Sequence, residues 1–249
     1  MAKQTGFLKI SGTLDNVTFY KTKDGHLVKM KTSLTKARVA NDPKFARTRE
    51  NGAEFGNAAK SGKLFRVHLR PISINACDKR IVPRLNQLMS KIKNMDSISI
   101  RGERNVGVGI YTTEGKSLLR GFEFNENSEL SNLLFKSYVL NTTTGVISID
   151  NLIPANDIRF PQSATHVSFT GGYAIFNFVT GLVDFKMTNI VNIDLFATST
   201  TTTLTPESLP TGSGTKVFLL KIEFFQVING VQYPLKNVGF NALRVIDVV

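Results

Sequence analysis

Lys60, Lys63, Arg66 and Arg70 recur at steps of three and four. At 100° per residue they fall on one flank of a helix. A second set, Lys21, Lys23, Lys29 and Lys31, brackets the dipeptide Asp24-Gly25. Ammonium and guanidinium groups in such arrays bind anions. A nucleic-acid backbone engages such a flank without reading sequence. No helix-turn-helix spacing, zinc finger or aromatic RNP signature accompanies it. Asn51 and Asn57 on the same helix could contact bases. The competing partners are Glu50, Glu54 or acids of a neighbouring subunit.

Other chemistries find little support. "GIYTTEGKS", Gly109 to Ser117, places five residues between its glycines where a phosphate loop has four, so its N–H groups would not wrap one phosphate. His26, His68 and His166 are scattered and there is one cysteine, a set too sparse for a zinc site. No G-x-S-x-G elbow singles out a nucleophilic serine. Cys77 lies among apolar positions and reads as a small buried hydrophobe. The expectation is therefore no catalytic residue, no metal and no cofactor.

The chain has 249 residues with 41% hydrophobic and 20% charged residues, enough to build a core. Eighteen phenylalanines and no tryptophan imply a core of Phe, Leu, Ile and Val. Charge is uneven. Residues 1–120 hold 24 Lys or Arg against 9 Asp or Glu, net +15, and residues 121–249 hold 7 against 10, net −3. This asymmetry points to an acidic partner for the first half alone (nucleic acid, an acidic protein surface or the acidic half of another copy), the alternative being a solvated basic surface with no polymer partner. No apolar run reaches the ~18 residues of a membrane span. "MAKQTGFLKISG" has no apolar h-region, so synthesis and first residence in the cytoplasm are expected, with a phage-like or extracellular assembly as a further destination.

The elements that must position these groups come next. Residues 7–34 read as strands: "FLKI", then a hairpin in which Val17 and Phe19 lead into Asp24-Gly25 and Leu27, Val28 and Met30 return. Asp-Gly suits a type I′ turn. Cross-strand pairing would crowd the hairpin lysines together. Asn41 or Asp42 caps a long helix with Pro43 in its first turn. Its apolar seam runs through Phe45, Gly52, Phe55, Ala58 or Ala59, Gly62, Phe65 and Leu69. Gly52, Gly56 and Gly62 each cost about 0.8–1 kcal/mol relative to alanine, which close approach of another backbone could offset. Pro71 ends this helix. A second follows over 75–94 with a seam of Cys77, Ile81, Leu85, Leu88 and Ile92, where Pro83 marks a kink or a fresh start. From Ser97 onward, short β-branched and aromatic runs, "SISIRG" and "LLRGFEF" to "ALRVIDVV", predict a β-sandwich. Residues 197–215 read as a polar loop, and Asn229-Gly230 as a hairpin turn.

"GTLDNVTFYKTKDGHLVK" and "NDPKFARTRENGAEFGNAAKSGKLFR" resemble the start of a large, poorly characterised family of Bacteroidota proteins. Its members share a G-T-[IL]-x-[DG]-[VI]-[TS]-F-Y-K hairpin, from which this chain departs at Asn16, a "TRENGAEFG" helix and a variable β-rich C-terminal half. The resemblance covers roughly residues 1–70 and implies no catalytic residue. It implies a fixed N-terminal module joined to a changing β domain, an arrangement suited to docking at one end and presentation at the other.

The expected fold is α+β: a basic β-hairpin arm (1–40), a helical hairpin (41–96) and an antiparallel β-sandwich, Ig-like or jelly-roll-like (97–249). The expected function is a non-catalytic structural or assembly protein, a homo-oligomer, filament or phage-like particle, whose N-terminal module makes subunit contacts and whose sandwich faces outward. The alternatives are a nucleic-acid-binding protein using the basic half and an enzyme of unknown type.

Overall fold

A computed structural model describes residues 2–31, 34–235 and 239–249. The fold is α+β with antiparallel sheets, and the chain forms two compact units, 1–49 and 50–249.

The first unit is a small four-stranded sheet. β1 (Ala2–Lys3), β2 (Gly12–Leu14), β3 (Val17–Thr22) and β4 (Gly25–Met30) lie in the order β1-β4-β3-β2. "FLKI" is not a strand: Phe7 to Ile10 form part of the link from β1 to β2, and Gln4 Oε1 accepts the Ile10 N–H at 2.9 Å. The β3–β4 hairpin forms as expected, but its central residues are Lys23 and Asp24, neither with positive φ, and Gly25 follows at φ 113°. The lysines do not crowd. Lys21 stands opposite His26 and Lys29 opposite Thr18, so Lys21 and Lys29 occupy opposite faces. Lys29 Nζ sits 5.4 Å from the centre of the Tyr20 ring. Register places Leu14, Val17 and Met30, then Phe19 and Val28, on one face. Thr13, Thr18, Lys29, Tyr20 and Leu27 share the other. After the sheet come α1 (Lys36–Asn41) and a 3-10 turn (Pro43–Phe45), where the Asp42 carboxylate accepts the Lys44 N–H at 2.9 Å. No described residue of this unit is buried.

The second unit holds the core. Its helices are α2 (Ala46–His68, from Glu50 onward), α3 (Arg70–Ser73), α4 (Ile81–Lys93), α5 (Val106–Gly109) and α6 (Thr113–Leu119). Its strands are β5 (Val139–Leu140), β6 (Ile147–Leu152), β7 (His166–Phe176), β8 (Val183–Asp194), β9 (Thr200–Leu204), β10 (Thr215–Ile228), β11 (Val231–Pro234) and β12 (Ala242–Val248), with the short α7 (Pro154–Asp157) after β6. One sheet runs β11-β10-β7-β8, with β12 also on β10, and a second runs β5-β6-β9.

Strands β7 and β10 are buried on both faces, and their alternation explains the layers. Leu220, Ile222 and Phe224 of β10 join Val167 and Phe169 of β7 and pack with Ile147, Ile149 and Leu204 of the small sheet. Val217 and Leu219, with Ala174 and Phe176, pack with Phe65, Leu69, Ile72, Leu85 and Ile92 of the helices. The larger sheet is thus a middle layer with helices on one face and the smaller sheet on the other. Because one core joins them, residues 50–96 and the strands after 97 form one unit, unlike the three-segment division that the sequence suggested.

Several sequence readings shift locally. Residues 97–102 are not a strand, and Ile98 and Ile100 are exposed. Instead the Asp96 carboxylate accepts N–H groups of Ile98, Ser99 and Asn105 at 2.9–3.1 Å and shapes a loop. "LLRGFEF" is the end of α6 and the chain after it. The 197–215 loop contains β9, paired with β6. Pro83 lies in the first turn of α4, a fresh start as expected, and Asn229-Gly230 does form the β10–β11 turn, both residues at positive φ.

The seam of α2 is partly displaced. Ala58, Gly62, Phe65 and Leu69 are buried as expected. Phe45 is half-buried, Gly52 is exposed, and Phe55 is 60% exposed. Glu54 takes the inward place one residue earlier. Gly62 does permit close approach: a Cβ there would stand 2.9 Å from Asn86 Oδ1 and 3.6 Å from Leu85. Nothing lies within 4 Å of the corresponding points at Gly52 and Gly56. These assignments separate by mutation. Phe65→Ala is expected to destabilise the chain by about 3–5 kcal/mol, and Phe55→Ala by no more than about 0.5 kcal/mol, read as urea midpoints at equal slope.

Candidate binding groove beside the basic helix flank

The orientation of α2 follows from its two carboxylates. Glu54 is 1% exposed, yet every side of it meets a donor. Arg104 Nε reaches Oε1 at 2.9 Å and Nη2 reaches Oε2 at 3.0 Å. Lys93 Nζ, from the last turn of α4, lies 2.5 Å from Oε2, and the Gly102 N–H donates to Oε1 at 2.8 Å. Gly102 has φ 95°, and a Cβ there would stand 3.0 Å from Glu50 Cγ, so glycine suits the site twice over. The Arg104 guanidinium, working against burial and helped by Lys93 and Gly102, holds the Glu54 pKa down to about 2. Glu50, one turn earlier, pairs with Arg101 at 2.7 Å.

Both acids are therefore occupied by the loop after α4 and by Lys93, and neither serves the basic flank. Among the described residues, no carboxylate lies within 4.0 Å of Lys60, Lys63, Arg66 or Arg70. Lys60, Lys63 and Arg70 are exposed, and Arg66 is half-buried. Lys21, Lys23, Lys29 and Lys31 belong to the first unit, on the β3–β4 hairpin or its end, and all four are exposed. Asn57 does not face outward for base contact: its Oδ1 accepts the Val106 N–H at 3.3 Å.

Arg66 and Arg70 line a groove between the end of α2, α3 and the start of α4. Its other walls are Val67, Ser73, Ile74, Cys77, Ile81, Val82 and Phe124, around a cavity of about 280 Å³. A smaller space of about 100 Å³ continues past Arg66 and Val82 to Lys63 and Ala59. Cys77 opens onto this groove and is exposed, contrary to the buried role expected of it. The reason is that residues 74–80 form a loop rather than a helical turn, so its place in the second seam does not exist. Burial of part of that loop pushes the Cys77 thiol pKa up, with Asp78 adding to the effect.

One crosslink fixes the far end of the groove. Arg84 meets Asp78 at 2.5 Å and donates to the carbonyls of Glu123 and Phe124 at 2.8 and 3.1 Å. Asp78 also accepts the Arg80 and Glu126 N–H groups. Burial works to raise the Asp78 pKa, but these N–H groups and Arg84 hold it below the ordinary value. The sequence offered Glu54 as a partner for the basic flank, whereas it pairs with Lys93 and Arg104; Arg84 and Arg104 were missed because each acts on residues far along the chain. Val67, Ile74 and Val82 were missed because apolar side chains that remain exposed carry no periodic signal.

The glycine run from Gly109 to Ser117 has a structural cause. The Ile92 carbonyl occupies the place of a Cβ on Gly109, so glycine lets α5 pack directly on α4. Among the described residues, no group of three or more His, Cys, Asp or Glu is placed to hold a metal ion. No helix is long and apolar enough to cross a membrane, again among the described residues. No family model matches the chain, and neither a curated protein nor a solved structure matches it.

Breaking the Glu54 cluster tests its place in the fold. Glu54→Gln leaves Lys93 and Arg104 facing a neutral amide and is expected to cost about 3–5 kcal/mol at neutral pH. The pH profile carries a sign as well. With the folded pKa below the unfolded value, the stability from Glu54 is full above about pH 4.5 and is lost as pH falls toward 2. Urea midpoints across this range should fall less steeply with acid in Glu54→Gln than in the native chain.

Proposed function

We propose that this protein is a non-catalytic assembly protein whose first unit makes its contacts with other copies of the chain. The observation that carries this reading is the state of the small sheet. Leu14, Val17, Phe19, Val28 and Met30 share one face, and none of them is buried. Sheets gain independent stability by covering an apolar face. Among the described residues of 1–49 no side chain is buried, so this unit lacks that gain.

Charge favours another copy as the cover. Residues 1–49 hold 11 Lys or Arg against 3 Asp or Glu, net +8, while residues 121–249 are net −3. A basic unit on one copy and an acidic region on the next attract each other. An interface of two different surfaces repeats head to tail and generates rings or filaments. The resemblance of residues 1–70 to a family with a fixed N-terminal module and a variable β-rich remainder agrees with this division of labour. In this reading the first unit of one copy meets the β-rich region of the next, and the remaining surface of that region faces outward, in a homo-oligomer, a filament or a phage-like particle.

Mass measurement tests the proposal. Light scattering across a concentration series should give species heavier than the 27.5 kDa chain. Phe19→Asp, on the apolar face, should return the mass to that of a monomer, and Thr18→Asp, on the other face, should not. A monomer at every concentration would refute the reading. A second reading, nucleic-acid binding, draws on the basic flank, which meets no carboxylate among the described residues. It requires affinity that falls steeply with salt.

A further inference from the structure

We infer that the groove beside Arg66 and Arg70 docks a peptide segment bearing both carboxylates and apolar side chains. This inference concerns the second unit alone and does not depend on the assembly reading.

Charge complementarity sets the first half of the partner's chemistry. Lys63, Arg66 and Arg70 stand along one wall with no carboxylate in reach among the described residues. Two acids of the same helix are already held on its other side by Arg101, Lys93 and Arg104. The cationic wall thus has no acid of its own helix left to turn toward it. Arginine forms two-pronged hydrogen bonds with a carboxylate, which suits an acidic side chain.

The rest of the groove sets the second half. Val67, Ile74 and Val82 line it while remaining 48%, 51% and 43% exposed. Beneath them Ile81 and Phe124 are buried. Single-stranded nucleic acid is held by cations together with aromatic platforms on which bases stack. This groove offers aliphatic side chains instead, and its one aromatic residue, Phe124, is wholly buried. An occupant that covers such a surface must bring apolar side chains.

Spacing suits an extended segment. Backbone hydrogen bonding of the i to i−4 kind continues through Leu69 and Ser73, so Arg66 and Arg70 stand one turn apart. That is about 6 Å along the axis. Alternate residues of an extended strand repeat at about 6.8 Å and face the same side. Acids at alternate positions would meet the two arginines while the intervening side chains face the Val82 side.

Fluorescence anisotropy with the full chain tests this. The probe is a short labelled peptide alternating glutamate and leucine. The comparisons are an alternating lysine–leucine peptide, oligoglutamate of equal length and a single-stranded thymidine oligonucleotide. The glutamate–leucine peptide should bind at least about tenfold more tightly than each comparison. Arg66→Glu combined with Arg70→Glu should weaken it by about tenfold or more, and so should Val82→Asp. Circular dichroism and the thermal midpoint establish that these variants remain folded. Since all three side chains sit at the surface of the groove, a second pair, Arg66→Gln with Val82→Thr, serves if either variant unfolds. Equal or tighter binding of the oligonucleotide overturns the inference. So does unchanged affinity in folded variants, or no saturable peptide binding up to about 1 mM.

Discussion

A buried carboxylate with two cations and a backbone N–H around it fixes the roll of α2. Glu54 cannot move to solvent without leaving Lys93, itself buried, beside an empty place. Leaving one member of such a cluster unpaired is far more costly than exposing an aromatic ring to water. Phe55, the next residue, is therefore turned outward even though the apolar pattern places it on the seam. Glu54 also draws in Gly102 and Arg104, so the chain after α4 must fold back over α2. That return path places α5 and α6 against α4 and closes the helical layer over the larger sheet.

The same roll determines what the surface offers. With Glu50 and Glu54 held on one side, Lys60, Lys63, Arg66 and Arg70 have no carboxylate within 4.0 Å among the described residues. The groove beside them lies where the 74–80 loop separates α3 from α4, which begins afresh at Ile81. Arg84 ties α4 to that loop through Asp78 and to the chain after α6 through the carbonyls of Glu123 and Phe124. Charge on the outside is thus a consequence of how charge is satisfied inside. The first unit presents a different situation. Its strands pair in the order β1-β4-β3-β2, but none of the described side chains on its apolar face is buried.

The legible parts of the sequence were those governed by local rules. Ala58, Gly62, Phe65 and Leu69 follow helical spacing because packing on α4 and the sheet demands it. Strands β6, β7, β8, β10 and β12 announce themselves by β-branched and aromatic runs. What failed depended on contacts between distant residues. Nothing local in "TRENGAEFG" says that Glu54 is the inward residue, since its partners lie about 40 to 50 positions away. Nothing local marks Lys221 and Glu223 as buried within β10, yet they lie 2.6 Å from each other inside the protein, and Asn75 donates to Glu223. α5 and α6 did leave a signal. Asn105 and Thr112 are N-caps, accepting the N–H groups of Val108 and Gly115, and Glu114 stands in the first turn of α6. Short β-branched runs on either side masked these caps.

Whether the small sheet is covered by another copy is the question on which the functional account rests. Hydrogen–deuterium exchange at a low and a high protein concentration addresses it directly. Amides of residues 12–30 should gain protection as concentration rises, while those of β7 and β10 stay protected throughout. Equal and rapid exchange of residues 12–30 at both concentrations would contradict the account.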